Sequence, residues 1–166
     1  SHEFIKLICN YTFSAKIIDK HGENPYLYRK TERHLFTQKI INAKGKMIRP
    51  LSAVNDMIGA QSTKGIHVIA KFAPRLESCG VWKSENEKLK IIETYPAVNP
   101  EIKIPKAIKE AHQDIQDAYR CAYIAYAFQK DKDQLVSPTA ADLSEADKKE
   151  GWIWYLNKEG KTANKV

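Results

Sequence analysis

The sequence predicts an α/β domain in which a short mixed sheet is packed by two helices. Two observations carry that expectation. Runs rich in β-branched and aromatic residues at 5–18, 89–95 and 152–156 have the lengths and bounding turn residues of strands. Two longer segments, 51–72 and 107–130, repeat apolar residues at helical spacing. At 166 residues, 43% apolar and 28% charged, the chain suits one globular domain with a real core. Residues 1–4 read as a cloning remnant, 5–156 as the domain and 157–166 as a polar tail.

The elements follow in order. Residues 5–18 read as one or two strands ending at Asp19, and 21–25 (HGENP) as a turn built on Gly22 and Pro25. From Tyr26 to Phe36 the pattern turns helical, and 42–46 form a loop around Gly45. Pro50 suits the first turn of the next helix, where its missing N–H costs nothing. Gly59 and Gly65 each weaken that helix by roughly 1 kcal/mol relative to Ala, which implies close packing against another element or a break. Pro74 closes it. A charged approach over 85–90 leads into the 89–95 strand, stopped by Pro96, and a Pro-rich loop follows. In the 107–130 helix, Ala118, Cys121, Ala122 and Ala125 offer a narrow surface suited to a sheet. Residues 144–151 read as a short capped turn, Ser144 and Asp147 standing at capping-box spacing. The run at 152–156 (WIWYL) is the final strand.

No apolar run approaches the roughly 20 residues that cross a bilayer, and no charged-then-apolar leader opens the chain. Cys9, Cys79 and Cys121 are scattered, unlike a zinc site or a disulfide framework, so a reduced cytoplasmic setting is expected. The net charge of +7 suits a polyanionic partner such as nucleic acid, or simple solubility.

Several acids stand where chemistry is possible. Asp114 and Asp117, three apart at the start of the long helix, share one face, so their oxygens can share a hard divalent cation. Their bland reading is dipole stabilisation of a helix start. Glu93 lies inside an apolar strand with a Pro-terminated loop behind it. It either points out of an exposed face or sits near the carboxyl end of a buried parallel strand, where α/β sites gather. Asp19 by default forms a turn, Arg29 and Glu32 read as an i,i+3 surface pair, and Asp56 as a polar helix position. No phosphate-cradling glycine motif, nucleophile elbow or dinucleotide fingerprint is present.

Five stretches taken together resemble one family, domain of unknown function 429, the predicted nucleases with a ribonuclease-H-like fold. They are residues 24–32 (NPYLYRKTE), 49–59 (RPLSAVNDMIG), 93–97 (ETYPA), 114–118 with 121–123 (DIQDA, CAY), and 150–154 (EGWIW), in the family's order. The resemblance implies two-metal phosphodiester hydrolysis, with Mg²⁺ or Mn²⁺ held by Glu93, Asp114 and Asp117, and Asp19 as a degenerate fourth acid. Arg29, Glu32 and Asp56 would face substrate, and basic surface would hold the phosphate backbone. Family members open with a strand carrying a Gly-Ile-Asp-like acid, which is not read here. The expectation is therefore a partial or reduced ribonuclease-H-like domain. Its function is metal-dependent cleavage of nucleic acid or a remnant of it, or alternatively a non-catalytic module binding nucleic acid or protein.

Overall fold

The computed structural model describes residues 28–42, 45–49, 59–139, 143 and 145–157. The expected strands over 5–18, the turn at 21–25, the first part of the 51–72 helix, Asp19 and Asp56 lie outside the described residues. The described chain is mixed α/β: α1 (Lys30–Thr37), α2 (Gly59–Phe72), β1 (Arg75–Ser78), β2 (Val81–Lys83), β3 (Lys90–Thr94), α3 (Lys106–Lys109), α4 (Gln113–Lys130), α5 (Glu145–Glu150) and β4 (Ile153–Trp154), with single 3₁₀ turns at Pro96–Val98 and Lys132–Gln134.

The four strands form one mixed sheet in the order β1-β2-β3-β4. The first three are antiparallel neighbours, and β4 runs parallel to β3, pairing Glu93 with Ile153 and Thr94 with Trp154. A parallel neighbour requires a crossover, and α4 lies in the chain between the two strands. The β1–β2 hairpin is not among the elements expected from the sequence. Its turn is Cys79-Gly80, with Gly80 at φ +70°, and a Cβ there would lie 2.6 Å from the backbone nitrogen of Trp152. Only glycine suits both the left-handed backbone and that approach.

Residues 152–156 organise the core. All five are buried, and they alternate as a strand must: Trp152, Trp154 and Leu156 pack with Val81, Ile124, Ala127 and Leu135, while Ile153 and Tyr155 pack with Leu35, Ile40 and Val98. The segment thus has apolar contacts on both faces, α4 on one and α1 on the other, which explains its unbroken apolar sequence. Both indoles find acceptors, Trp154 Nε1 donating to the Gly80 carbonyl at 3.0 Å and Trp152 Nε1 to the Val136 carbonyl at 3.0 Å.

Two helical expectations differ in detail. The long helix is interrupted: α3 ends at Lys109, and His112, in extended geometry, caps α4 by accepting from the Asp114 amide at 3.3 Å. Its sheet-facing contact is made by Ile124 and Ala127 with Tyr119, Tyr123 and Phe128, whereas Ala118, Ala122 and Ala125 are exposed. Bulky residues are needed to reach the sheet, so the small-residue surface faces outward. The second difference is α2, whose Ile66, Val68 and Phe72 are exposed. Among the described residues nothing lies within 4 Å of a Cβ built on Gly65, so the glycine there reflects no close approach to them. Among the described residues, no helix is long and apolar enough to cross a membrane.

Candidate functional site

Three residues singled out from the sequence converge at the carboxyl end of β3. Arg29 is the N-cap of α1, in extended geometry, and Glu32 is the third helical residue. The Glu32 carboxylate turns back to accept from the Arg29 amide at 2.5 Å, which satisfies one of the orphan donors of a helix start. Helix α1 is also tied to β4, because the buried Thr31 hydroxyl accepts from the Ile153 amide at 2.9 Å. Those two bonds fix the direction in which the Arg29 side chain leaves the helix.

The guanidinium then reaches Glu93, 64 residues later. Nη1 donates to Glu93 Oε2 at 2.8 Å and Nη2 to Oε1 at 2.7 Å, the paired fork that makes arginine–carboxylate contacts strong. Nε donates to Glu32 Oε1 at 2.7 Å, and Nη1 also reaches the Glu150 carbonyl at 2.9 Å. Gly151, at φ +89°, follows that carbonyl, and a Cβ on it would meet the Trp82 ring at 2.9 Å. Burial acts to lower the arginine pKa, but hydrogen bonds and charge from Glu93 and Glu32 outweigh it and leave the guanidinium more firmly protonated than usual. The Glu32 side chain is 9% exposed, that of Arg29 32% and that of Glu93 36%. The cluster is therefore closed on its α1 side and open to water at Glu93.

The other two acids stand apart from this cluster in their bonding. Asp117 is held on its own helix, accepting from Arg120 Nη1 at 2.8 Å and Gln113 Nε2 at 2.9 Å. Burial of Cys121 and, to a smaller extent, the Asp117 charge push the Cys121 thiol up. The Asp114 side chain is 89% exposed, beside the His112 ring. Helix α4 does pack against β3, so Asp117 and Glu93 belong to touching elements. Yet among the described residues no three His, Cys, Asp or Glu side chains form a group able to hold a metal. The divalent ions implied by the resemblance do not fit the described residues as arranged, because Glu93 faces the Arg29 cation, Asp117 is tied to its own helix and Asp114 faces solvent, so the three carboxylates do not converge.

A second concavity, an open cleft of about 680 Å³, lies where α1 meets the segment after β4. His34 Nε2 and the buried Tyr155 hydroxyl stand 2.9 Å apart on its wall, and burial raises the Tyr155 phenol well above its ordinary value. Comparison of the chain with family models, curated proteins and solved structures returns no match.

The pair Arg29–Glu32 was legible as an i,i+3 pair. Its connection to Glu93 had no local signal, since it depends on how β3 and β4 align. Asn99 and Thr31, which lock the surrounding loops, carried no signal beyond being polar residues in apolar surroundings.

Proposed function

We propose that this chain is a nucleic-acid-binding module on a reduced ribonuclease-H-like scaffold, holding the phosphate backbone rather than cutting it. The observation that carries this reading is the engagement of both Glu93 oxygens by Arg29. A carboxylate so engaged already faces a fixed positive charge, so a catalytic cation at the same oxygens meets repulsion or must displace a charge-assisted fork. The binding half is supported by the net charge of +7 and by Lys103, Lys106 and Lys109, exposed along the approach to α3 and on it. None of the three is ion-paired to a described residue. Lysines of this kind suit phosphate contacts, which supply affinity without reading sequence.

Metal-dependent phosphodiester hydrolysis, with Mg²⁺ or Mn²⁺ on Glu93, Asp114 and Asp117, is the second reading. It is favoured by the packing of α4 against β3. Gel-shift titration of single- and double-stranded oligonucleotides over a salt series, in chelator and then in Mn²⁺, separates the two. The binding module gives a salt-sensitive complex in chelator. A triple Lys103→Glu, Lys106→Glu, Lys109→Glu variant then lowers the slope of log K against log salt by about 3 on duplex, from roughly 0.9 per phosphate contact. Cleavage in Mn²⁺ that vanishes in Asp117→Asn would instead establish the second reading. A complex absent at low salt would refute nucleic acid as the partner.

A further inference from the structure

We propose that the open cleft between α1 and the segment after β4 is a binding site for a small organic cation, an ammonium or guanidinium carried on an apolar body. The cleft shares no lining residue with the Arg29–Glu93 cluster or with Lys103, Lys106 and Lys109, so it stands apart from the nucleic-acid reading. Its volume of about 680 Å³ falls within the range of small-molecule pockets, which are commonly formed before the ligand arrives. Both walls are pinned by backbone bonds: Val136 donates to the Tyr155 carbonyl at 2.9 Å, Asn157 to the Gln134 carbonyl at 2.8 Å, and Ile48 to the Ile40 carbonyl at 2.8 Å. The contact of His34 Nε2 with the Tyr155 hydroxyl ties α1 to the opposite wall at 2.9 Å.

The lining sets the ligand's chemistry. Ile40, Leu135, Tyr155 and Leu156, all deeply buried, give the cleft an apolar base against which an apolar body can pack. Around that base the polar groups are acceptors short of donors. The Asp133 carboxylate is exposed and has no hydrogen-bond or ion-pair partner among the described residues, and the Ser137 hydroxyl has none either. Gln38 uses its Nε2 on Thr37 Oγ1 at 3.3 Å, which leaves its Oε1 as an acceptor. Among the described residues no lysine or arginine lines the cleft. Lys132, next to Asp133 in the chain, is turned elsewhere, its ammonium 4.8 Å from the Phe128 ring centroid and 4.7 Å from that of Trp154, which packs on the α4 side. An anion entering the cleft therefore meets the uncompensated charge of Asp133, whereas a cation neutralises it. One carboxylate is too small a donor set for a divalent metal, which takes several oxygens, so the cation that fits is organic.

The test is ligand-observed NMR titration of three probes that share one indole body: tryptamine, a cation; tryptophol, neutral; and indolepropionate, an anion. Each is titrated into wild type, Asp133→Asn and Ser137→Trp, with a thermal unfolding midpoint to show that each variant is folded. Expected is tryptamine binding to wild type with a Kd on the order of 1 mM, tryptophol weaker and indolepropionate weakest. Asp133→Asn weakens tryptamine by about threefold, the effect of one solvent-exposed ion pair, and leaves tryptophol unchanged. Ser137→Trp fills the cleft and abolishes binding of all three. Should Ser137→Trp fail to fold, Gln38→Trp on the α1 wall makes the same test. Absence of tryptamine binding overturns the proposal, as does equal binding of the cation and the anion. Tryptamine affinity unchanged in Asp133→Asn, or surviving intact in a folded cleft-filling variant, overturns it equally. None of these probes reports on the oligonucleotide gel shift, so the nucleic-acid reading can fail while the cleft stands, and the reverse.

Discussion

Asn99 offers the sharpest test of how the site is held. It is fully buried, its Oδ1 accepting from the Leu156 amide at 2.9 Å and its Nδ2 donating to the Tyr95 carbonyl at 3.1 Å. One side chain therefore joins the loop leaving β3 to the chain leaving β4, just beyond Glu93. Asn99→Ala removes both bonds, about 1 kcal/mol each, and leaves the buried Leu156 amide without its acceptor, roughly 1–2 kcal/mol more. A loss of about 3 kcal/mol follows, or a midpoint lowered by roughly 6–12 °C in a chain of this size. Asn99→Asp keeps the shape and turns the prediction into one of pH. Burial disfavours the charged carboxylate, so its folded pKa lies above the roughly 3.9 of an unfolded Asp. Once protonated, it can accept from Leu156 and donate to Tyr95 much as the amide does. The stability of this variant is therefore greatest below about pH 4 and falls as pH rises toward the folded pKa. Thermal unfolding of wild type and both variants from pH 3.5 to 8 reads this directly. The reasoning fails if Asn99→Ala costs less than about 1 kcal/mol, or if the gap between Asn99→Asp and wild type does not widen with pH.

Three further outcomes are expected. Gly80→Ala forces a left-handed residue with a Cβ 2.6 Å from the Trp152 backbone, and a loss of at least about 3 kcal/mol should appear in urea titration. Because burial raises the folded Tyr155 phenol, its stabilising share is complete below about pH 10, the unfolded value, and is lost as pH rises toward the folded one. The alkaline decline of the unfolding midpoint should be shallower in Tyr155→Phe than in wild type, and an unchanged slope would remove Tyr155 from the account. Ile66→Ser on α2, where the residue is 64% exposed, should alter stability by no more than about 0.5 kcal/mol in a denaturant titration; a larger loss would mean that this face is covered in solution.

What the sequence made legible is what local rules encode. The WIWYL run marked a buried strand because the segment touches apolar partners on both faces. The strand at 89–95 and the helix ending at Lys130 announced themselves by period and punctuation, whereas the helical pattern over 26–36 had no single apolar face and overlaps a helix that runs from Lys30 to Thr37. The β1–β2 hairpin did not, because its strands of four and three residues are too short to show a period, and β1 is wholly exposed. Gly80 between Cys79 and Val81 was the available clue. The interruption between α3 and α4 was hidden for a different reason. Glu110, Ala111 and His112 are all compatible with a helix, and the break is made by His112 serving as a cap rather than as a helical residue.

The candidate site shows where local rules stop. Glu32 was read as half of a surface pair, and on spacing alone that is the right default, since an exposed i,i+3 pair contributes little. The structure buries Glu32 and leaves Arg29 two-thirds covered, so the pair is a different object energetically. Breaking such a pair from one side exposes the remaining charge to a poorly solvated environment, whereas replacing all of its members together is far less damaging. The order of stability expected is therefore wild type, then a triple Arg29→Leu/Glu32→Gln/Glu93→Gln variant, then Arg29→Ala alone. Chemical denaturation of the three decides it. If Arg29→Ala equals wild type, the fork contributes no more than a surface pair, and the case for an internal cation holding β3, β4 and α1 in register falls with it.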